Sequence, residues 1–379
     1  MDKEIERCNV CVLPKSPLFD FDTNGTCSLC GAAKQTTNSV SLDKEGFRDE
    51  LDECIQRIKK RGQGQSFDCV VGISGGRDSS YLLYLLTHKH HLRCLAAYYR
   101  TPFTSSVTDA NARRVANKLN VPLVEIDISK ELHKLHKRIA REFAILWAEK
   151  PHPVITNMAC APCKLINREI FKIARAKGIK AVVYGGNKFE AVQIASGIPR
   201  NATLTTNVTA AKQLALVVQL QQSLLLIKRG IEALKISNNL WRYVPLGFKS
   251  SLMYISPHTP YLRFRYPGIL ALEYFFYYEW EETECEKVLI ELGWELPPGC
   301  KSAWKSDCSF AELKNYMFQK MMGVTYMDAF MSNMVRAGKL NREEALRRIK
   351  IEGMISAERL SEVVEILELP KSLSALFMQ

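Results

Sequence analysis

The sequence predicts an α/β protein with three parts: a short cysteine-bearing segment, a doubly wound parallel sheet and a mostly helical C-terminal region. Two patterns predict this. Between residues 68 and 187, short apolar segments alternate with longer segments of helical periodicity, as in a parallel sheet. After about residue 200 the strand signals fade and the helical pattern continues. We therefore predict domain boundaries at 1–40, 41–200 and 201–379.

The predicted elements follow one another along the chain. The helix at 43–61 is indicated by apolar side chains on one stripe, from Phe47 to Ile58. The predicted strands are 68–73, 92–99, 122–128 and 181–187, and the helices that accompany them are 80–88, 109–119, 130–148 and 163–177. Further helices are predicted at 208–236, at 310–322 and, in pieces, at 341–379. The aromatic cluster 271–280 is interpreted as the packing of a helix in the core, in preference to a base-stacking platform.

Composition and charge narrow the class of protein. Apolar residues make up 47% of the chain, and no run approaches the roughly 20 residues that a membrane helix needs. The first residues lack the apolar core of a signal peptide, so we expect a cytoplasmic protein without membrane insertion. The net charge of +12 favours either nucleic acid or phosphorylated small molecules as partners. Because the basic residues are dispersed and no nucleic-acid module is visible, we expect no nucleic-acid partner.

A glycine-rich loop follows the first predicted strand and precedes a helix. It reads Ser74-Gly75-Gly76-Arg77-Asp78-Ser79-Ser80. Paired glycines let the backbone approach an anion closely, and the amides of the first helical turn then point at that anion. The serines add hydroxyl donors, and Asp78 either holds Mg²⁺ or caps the helix. The alternative interpretation is an ordinary turn before a capped helix.

The loop lacks the lysine of a Walker A motif. It resembles the PP-loop, Ser-Gly-Gly-x-Asp-Ser, of the adenine-nucleotide alpha-hydrolase superfamily, in which this loop grips the pyrophosphate part of ATP. That resemblance implies a HUP-like fold with the end of the second strand against adenosine, which places Tyr98 there. Gly185, Gly186 and Asn187 end another strand of the predicted sheet, and this topology places them at the same cleft.

Two cysteine pairs lie near the start of the chain. Cys8 and Cys11 form one Cys-x-x-Cys pair, Cys27 and Cys30 form another, and 15 residues separate the pairs. This spacing is typical of a four-thiolate zinc ribbon, in which the metal supplies the stability that a small segment lacks. Four unrelated buried thiols are the alternative.

A third pair, Cys160 and Cys163, precedes a helix and has no partner nearby in the sequence. Three interpretations stay open: a second metal or 4Fe–4S cluster with Cys308 or Cys300 as a third ligand, a redox or nucleophilic pair, and structural thiols. The PP-loop tRNA thiolases resemble the first arrangement. The five histidines at 88, 90, 91, 133 and 136 are assigned no metal, and the first three are expected to be solvated.

Several segments together resemble the N-acetyl sugar amidotransferase family, whose members act in the biosynthesis of bacterial surface glycans such as the O-antigen of lipopolysaccharide. These segments are the cysteine pairs at 8–30, the loop at 74–79, Cys160 to Lys164, 275–280, 293–297, 306–308 and 335–346. The resemblance covers nearly the whole chain, except for residues 200–270.

This resemblance implies an ATP-dependent enzyme that converts the acetamido group of a nucleotide-linked sugar into an acetamidino group, forming AMP and pyrophosphate. It implies that the loop residues, Asp78 among them, hold ATP with Mg²⁺ bridging the phosphates. It also implies that Arg77 stabilises the negative charge on the departing pyrophosphate. Lys164 and Arg168 are candidate ligands for phosphate or AMP, although both also fit an exposed helix face. A glutaminase and ammonia-channel partner is expected, because no glutaminase signature is present.

Two other functions remain open. The first is sulfur insertion into a tRNA base or a small-molecule amide, which the Cys160 and Cys163 pair favours. The second is a non-catalytic nucleotide sensor, which the intact Asp78 and serines disfavour.

Overall fold

The computed structural model describes residues 5–16, 19–31, 44–126, 130–159, 163, 165–187, 189 and 264–377. Five strands form one sheet: β1 (Cys69–Ile73), β2 (Cys94–Tyr98), β3 (Leu123–Glu125), β4 (Ala181–Tyr184) and β5 (Leu270–Glu273). They lie in the order β3-β2-β1-β4-β5, and every neighbouring pair is parallel. This is a doubly wound order, in which the direction of winding reverses between β1 and β4.

Helices make up most of the remaining described chain. They are α1 (Lys44–Gly62), α2 (Arg77–Tyr84), α3 (Ser106–Lys118), α4 (Lys130–Glu149), α5 (Pro153–Met158), α6 (Leu165–Ala176), α7 (Tyr274–Tyr277), α8 (Glu282–Glu291), α9 (Phe310–Met322), α10 (Tyr326–Arg336), α11 (Arg342–Glu352), α12 (Ala357–Ile366) and α13 (Lys371–Phe377). Helix α2 continues into a π-helical turn, Leu85–Lys89. The predicted helix at 310–322 is confirmed, and so are the helices predicted in pieces from residue 341, as far as residue 377. The predicted helix at 208–236 lies outside the described residues.

Local capping explains where several helices begin and end. The Ser105 hydroxyl accepts a hydrogen bond from the amide of Thr108, so α3 begins three residues before its predicted start. Thr325 and Asp328 form a capping box at the start of α10. Helix α9 ends at Gly323, whose φ of +66° terminates the helix in a left-handed conformation.

The sheet is covered on both faces because neighbouring residues of a strand point to opposite sides. Val71 and Ile73 pack into a large core that extends to the N-terminal cysteines and the C-terminal helices. Val70 points the other way, into a core with Phe171 of α6. A third core lies mainly between α4, α9, α12 and α13.

Two expectations are corrected here. Strand β5 lies in a region predicted to be helical: Ala271 to Glu273 extend the sheet beside β4, and only Tyr274–Tyr277 of the aromatic cluster are helical. His90, expected to be solvated, is 9% exposed and bonded to Tyr274. The pattern of a four-residue edge strand is too short to be distinguished from that of a helix. Among the described helices, none combines the length and apolar character that a membrane crossing requires.

Candidate nucleotide site and cysteine metal centre

The glycine-rich loop lies at the carboxyl end of β1, beside the carboxyl end of β4. In doubly wound sheets, ligands bind in the crevice at this reversal of strand order. Gly76 is the N-cap of α2 and contributes no side-chain cap, so the first-turn amides of Arg77, Asp78 and Ser79 stay available to an anion. The strand–loop–helix context predicted for the loop is therefore present.

Gly75 cannot be replaced without disturbing this loop. Its φ is +80°, a conformation that favours glycine. A Cβ at this position would also lie 2.2 Å from the carbonyl oxygen of Thr108 in α3. The loop thus packs directly on the backbone of α3, and a side chain here would separate the two.

The serine hydroxyls fix the shape of the loop. The Ser74 and Ser79 hydroxyls lie 3.2 Å apart, and the amides of Ser74 and Gly76 donate to these two hydroxyl oxygens. Ser80, predicted to bind the cofactor, is 2% exposed and donates to the Gly76 carbonyl. Ser74 and Ser79 are partly exposed and can turn toward a ligand, whereas Ser80 serves to close the loop.

Asp78 joins the loop to the end of β4. Its Oδ1 accepts from Arg77 Nε at 2.8 Å, and its Oδ2 accepts from Asn187 Nδ2 at 3.5 Å. A Cβ on Gly185 would lie 3.4 Å from the carbonyl oxygen of Asp78, so the two segments lie close together here. Gly186 is exposed at the same edge. The structure therefore brings together the two segments that the sequence assigns to one cleft.

Arg77 points into the protein. Its side chain is 2% exposed and contacts Asp78, the Glu282 carboxylate at 3.1 Å and the Trp280 ring at 4.6 Å. Burial lowers the pKa of this guanidinium, but Asp78, Cys285 and Glu282 outweigh burial and raise the pKa overall. A fully charged arginine held in this way orients Asp78, rather than reaching into the cleft as the resemblance implies.

Tyr98, predicted to lie against adenosine, is 1% exposed and belongs to the core. Burial raises the pKa of its hydroxyl, and the Asp109 carboxyl raises it further. The end of β2 is thus in the predicted place, but the Tyr98 ring packs inward.

Sequence reasoning missed residues from the C-terminal region that cover the loop. Trp294 Nε1 donates to the Gly75 carbonyl at 2.9 Å, and the main chain at Glu295 exchanges hydrogen bonds with Asn111 of α3. The Asp307 carboxyl lies so close to Gly76 that a Cβ there would be 3.2 Å from its Oδ2. The segments 293–297 and 306–308 belong to the resemblance noted in the sequence. Their contact with the loop could not be predicted, because they lie far from it along the chain.

The four N-terminal cysteines form a metal site. Their sulfurs lie within 4.8 Å of one another and are buried. Cys8 Sγ lies 3.9 Å from Cys30 Sγ, and Cys11 Sγ lies 3.8 Å from Cys27 Sγ. Metal–sulfur bonds of about 2.3 Å in a tetrahedron place the sulfurs about 3.8 Å apart, so the geometry fits one tetrahedral ion. Hydrogen bonds among the four thiols lower the pKa of Cys8 and of Cys11 and raise the pKa of Cys27 and of Cys30.

The metal site is held against α10 and α11. Arg336 Nη1 lies 3.2 Å from Cys11 Sγ, and Arg342 Nε donates to the carbonyl oxygens of Cys8 and Cys11. Arg7, just before the first pair, binds Asp328 of α10 at 2.6 Å. These contacts, together with the shared core, join the four-cysteine segment, or ribbon, to α10 and α11.

We call the Cys160 and Cys163 pair, with its candidate third ligand Cys308, the second cysteine group. It is described only in part, because Cys160 and Lys164 lie outside the described residues. Cys163 Sγ lies 3.5 Å from Nε2 of His136, whose pKa is lowered to about 3 by burial and by His133. Burial raises the pKa of Tyr99, and negative charge on Cys163 and Cys308 raises it further.

Within the described part of the chain, the four N-terminal cysteines are the one compact group of metal-ligating side chains. Cys300 instead contacts Arg359 at 2.7 Å, and Arg168 pairs with Glu169. No described contact therefore joins Cys300 or Arg168 to the second cysteine group. The predictions of a second metal and of an anion site at Lys164 remain predictions.

Comparison with protein-family models finds no match for this chain. A curated relative, an uncharacterised protein of Methanocaldococcus jannaschii, is 24% identical over 182 residues, which are 47% of this chain and 58% of the relative. The match therefore spans little more than half the length of that relative.

Three solved structures are similar to the chain. The NMN synthetase of Francisella tularensis has a TM-score of 0.36 at 14% identity, covering 81% of this chain and 92% of that one. The U34-tRNA thiolase of Methanococcus maripaludis, solved with its 4Fe–4S cluster, has a TM-score of 0.34 at 14% identity, covering 98% and 99%. The NH3-dependent NAD synthetase of Campylobacter jejuni has a TM-score of 0.27 at 18% identity, covering 56% and 94%. TM-scores this low do not transfer function, so the fold assignment rests on the chain's own sheet order and loop.

Proposed function

We propose that this chain binds ATP where β1 and β4 end, and cleaves it between the α- and β-phosphates to give AMP and pyrophosphate. One observation carries this proposal: the loop at 74–80 lies at the reversal of strand order, with Asp78 bonded across the crevice to Asn187. The open amides of the first turn of α2 suit a polyphosphate, and the positive φ of Gly75 lets the loop before them pack tightly on α3.

The carboxylates beside the loop suit the Mg²⁺ that accompanies ATP. Mg²⁺ prefers oxygen ligands and is usually held by one or two carboxylates together with substrate phosphates. Asp78 and Asp307 both lie beside Gly76, and both are partly exposed. We assign Asp78 as one ligand and Asp307 as the second, and the ion would neutralise charge on the departing pyrophosphate.

At the finer level, we propose an amidotransferase that acts on the acetamido group of a nucleotide-linked sugar. The amide oxygen attacks the α-phosphorus, and the bond to the bridging oxygen breaks as pyrophosphate leaves. Ammonia then adds to the imidate carbon, the carbon–oxygen bond breaks, AMP departs with that oxygen, and a proton passes to solvent. An amide oxygen is a poor leaving group until it carries AMP, which explains the need for ATP. Ammonia would come from a glutaminase partner.

The placement of the C-terminal segments supports this finer assignment. The segments 293–297 and 306–308 belong to the resemblance with N-acetyl sugar amidotransferases, and both contact the glycine-rich loop. A substrate held by this region would lie next to the α-phosphate. The same proposal assigns zinc to Cys8, Cys11, Cys27 and Cys30, because the spacing and the sulfur–sulfur distances suit a structural zinc.

Sulfur transfer is the second candidate function. The observation that favours it is that Cys163 is partly exposed beside the imidazole of His136, and that Cys163 and Cys308 both raise the pKa of Tyr99. Sulfide in place of ammonia would attack the same adenylated carbon. With Cys160, these thiols would hold an iron–sulfur cluster.

The deciding experiment supplies both nucleophiles. The full chain is incubated with Mg²⁺·ATP and a panel of UDP-linked N-acetyl sugars, with either ammonium or sulfide, and AMP, pyrophosphate and product mass are measured. AMP formation with exchange of oxygen for NH supports the amidotransferase, and exchange for sulfur supports the second candidate. Asp78→Asn is the matched control, because it keeps the size of the side chain and removes its charge. Equal AMP formation by this variant contradicts the ATP assignment.

A further inference from the structure

A chain of alternating charges runs from the glycine-rich loop to α11. Asp78 contacts Arg77, Arg77 contacts Glu282 at the start of α8, and Glu282 contacts Arg348 of α11. Arg348 also binds Glu352 at 2.7 Å. The side chains of these five residues are between 2% and 16% exposed, so solvent screens their interactions little.

Glu282 lies at the centre of this chain. Its Oε1 accepts from Arg77 Nη1 at 3.1 Å and from Arg348 Nη2 at 3.0 Å, and its Oε2 accepts from Arg348 Nη1 at 2.5 Å. The fork of Arg348 therefore fixes the plane of the carboxylate, and that carboxylate fixes one side of Arg77. Trp280, two residues earlier, covers the face of the same guanidinium.

Arg77, held in this way, in turn fixes the Asp78 carboxylate in the loop. Its Nε donates to Asp78 Oδ1 at 2.8 Å, which leaves Oδ2 on the side of Asn187 and the crevice. A carboxylate that rotates freely presents its oxygens to a cation only part of the time. One that is held at a single oxygen presents the other in a constant direction.

We infer that Glu282 and Arg348 are positioning residues of the nucleotide site, which hold Arg77 and thereby aim the Asp78 carboxylate at Mg²⁺. This inference rests on the proposed function. Packing α8 against α2 does not itself require charge, because buried ion pairs contribute little more to stability than apolar residues of similar volume. The ion pairs instead set an orientation. The Glu282 carboxylate, 204 positions from Asp78 in the sequence, determines which oxygen of Asp78 faces the crevice.

The test separates binding of Mg²⁺ from binding of nucleotide. The affinity of the full chain for α,β-methylene ATP, which cannot be cleaved at that bond, is measured by calorimetry with Mg²⁺ and again with EDTA. The ratio of the two affinities reports how well Asp78 engages the ion. In Glu282→Gln we expect this ratio to fall about tenfold, as is common when a residue that orients a metal ligand is lost. Affinity in EDTA should change by less than about twofold, because the loop amides are untouched.

The neighbouring residue provides the matched control. Glu281 lies one position earlier, and its half-exposed carboxylate pairs with Lys339. Glu281→Gln removes the same charge from the same segment, yet the ratio should stay within about twofold of the wild-type value. If Glu282→Gln also leaves the ratio unchanged while the wild type binds Mg²⁺·nucleotide, the positioning role is overturned and the ATP assignment stands. Failure of the wild type itself to bind overturns both.

Glu282→Asp keeps the experiment decisive if Glu282→Gln does not fold. It retains the negative charge between the two arginines but is one methylene shorter, so it cannot contact both at once. The melting temperature should stay near that of the wild type while the affinity ratio falls. A full ratio in this variant shows that net charge, rather than direction, is what the site needs, and contradicts the inference.

Discussion

Arg336 of α10 lies with its Nη1 3.2 Å from Cys11 Sγ, and its Nη2 binds Asn333 Oδ1 at 2.5 Å. Asn333 in turn donates to the carbonyl oxygen of Phe189, whose amide donates to Asn187 Oδ1. Hydrogen bonds thus connect the cysteine metal centre to the residue that contacts Asp78. The four-cysteine segment and Phe189, which follows β4, therefore both contact α10.

We predict that Arg336→Gln weakens metal retention. Four thiolates around a divalent ion carry excess negative charge, and a guanidinium donor to one sulfur stabilises that charge. Release of metal to a colorimetric chelator should be about tenfold faster than in the wild type. Arg347→Gln on α11 is the control, since Arg347 is 61% exposed and pairs only with Glu344 among the described contacts. Equal release from both variants would show that the contact with Cys11 does not matter to the metal.

We predict that Cys27→Ser loses about one metal ion per chain, because a tetrahedral site with three thiolates binds structural metal much more weakly. Elemental analysis after gel filtration measures this and identifies the metal. Cys54→Ser is the control, because Cys54 is buried on α1 and lies outside the four-cysteine group. Full metal content in Cys27→Ser contradicts the site.

We predict that Gly75→Ala destabilises the protein more than Gly64→Ala does. Both glycines have positive φ, +80° and +75°, but a Cβ on Gly64 would meet open space. Gly64→Ala should therefore cost about 1 kcal/mol for its backbone conformation alone. Gly75→Ala should cost about 2 kcal/mol more, because its Cβ collides with the Thr108 carbonyl. Urea unfolding measures the difference, and equal free energies of unfolding for the two variants would refute the close packing of loop and α3.

We predict that His90 contributes to loss of stability in acid. Burial lowers the pKa of His90 from 6.5 to about 4, with Lys89 as the next cause. The unfolded chain therefore binds a proton at this residue between these two pH values while the folded chain does not, so stability falls as pH is lowered through that interval. In His90→Gln the melting temperature should fall less steeply across that range. His91→Gln, at the exposed neighbouring position, should follow the wild type, and parallel curves for all three proteins would exclude the effect.

Much of the fold could be predicted because the signals are local. The predicted helix at 310–322 has the same limits in the structure, and β1, β2 and β4 lie within their predicted ranges. Strand β5 was missed because four residues of edge strand carry too short a pattern to distinguish from a helix. For the site, the sequence indicated the loop, Asn187 and the four cysteines, but not Glu282, Trp294 or Asp307.

The sequence by itself determined the chemical types and their spacing along the chain: a strand–loop–helix with paired glycines, and two cysteine pairs able to meet at one ion. Only the tertiary structure decided which way Arg77 points, that Tyr98 packs inward, and that C-terminal residues cover the loop. The physical reason is the separation along the sequence of the residues that interact. Amides at a helix start and ligands on one short segment are set by bonds to near neighbours. Arg77 and Glu282 are 205 positions apart, and Cys11 and Arg336 are 325 apart, so the packing of the whole core determines whether they meet.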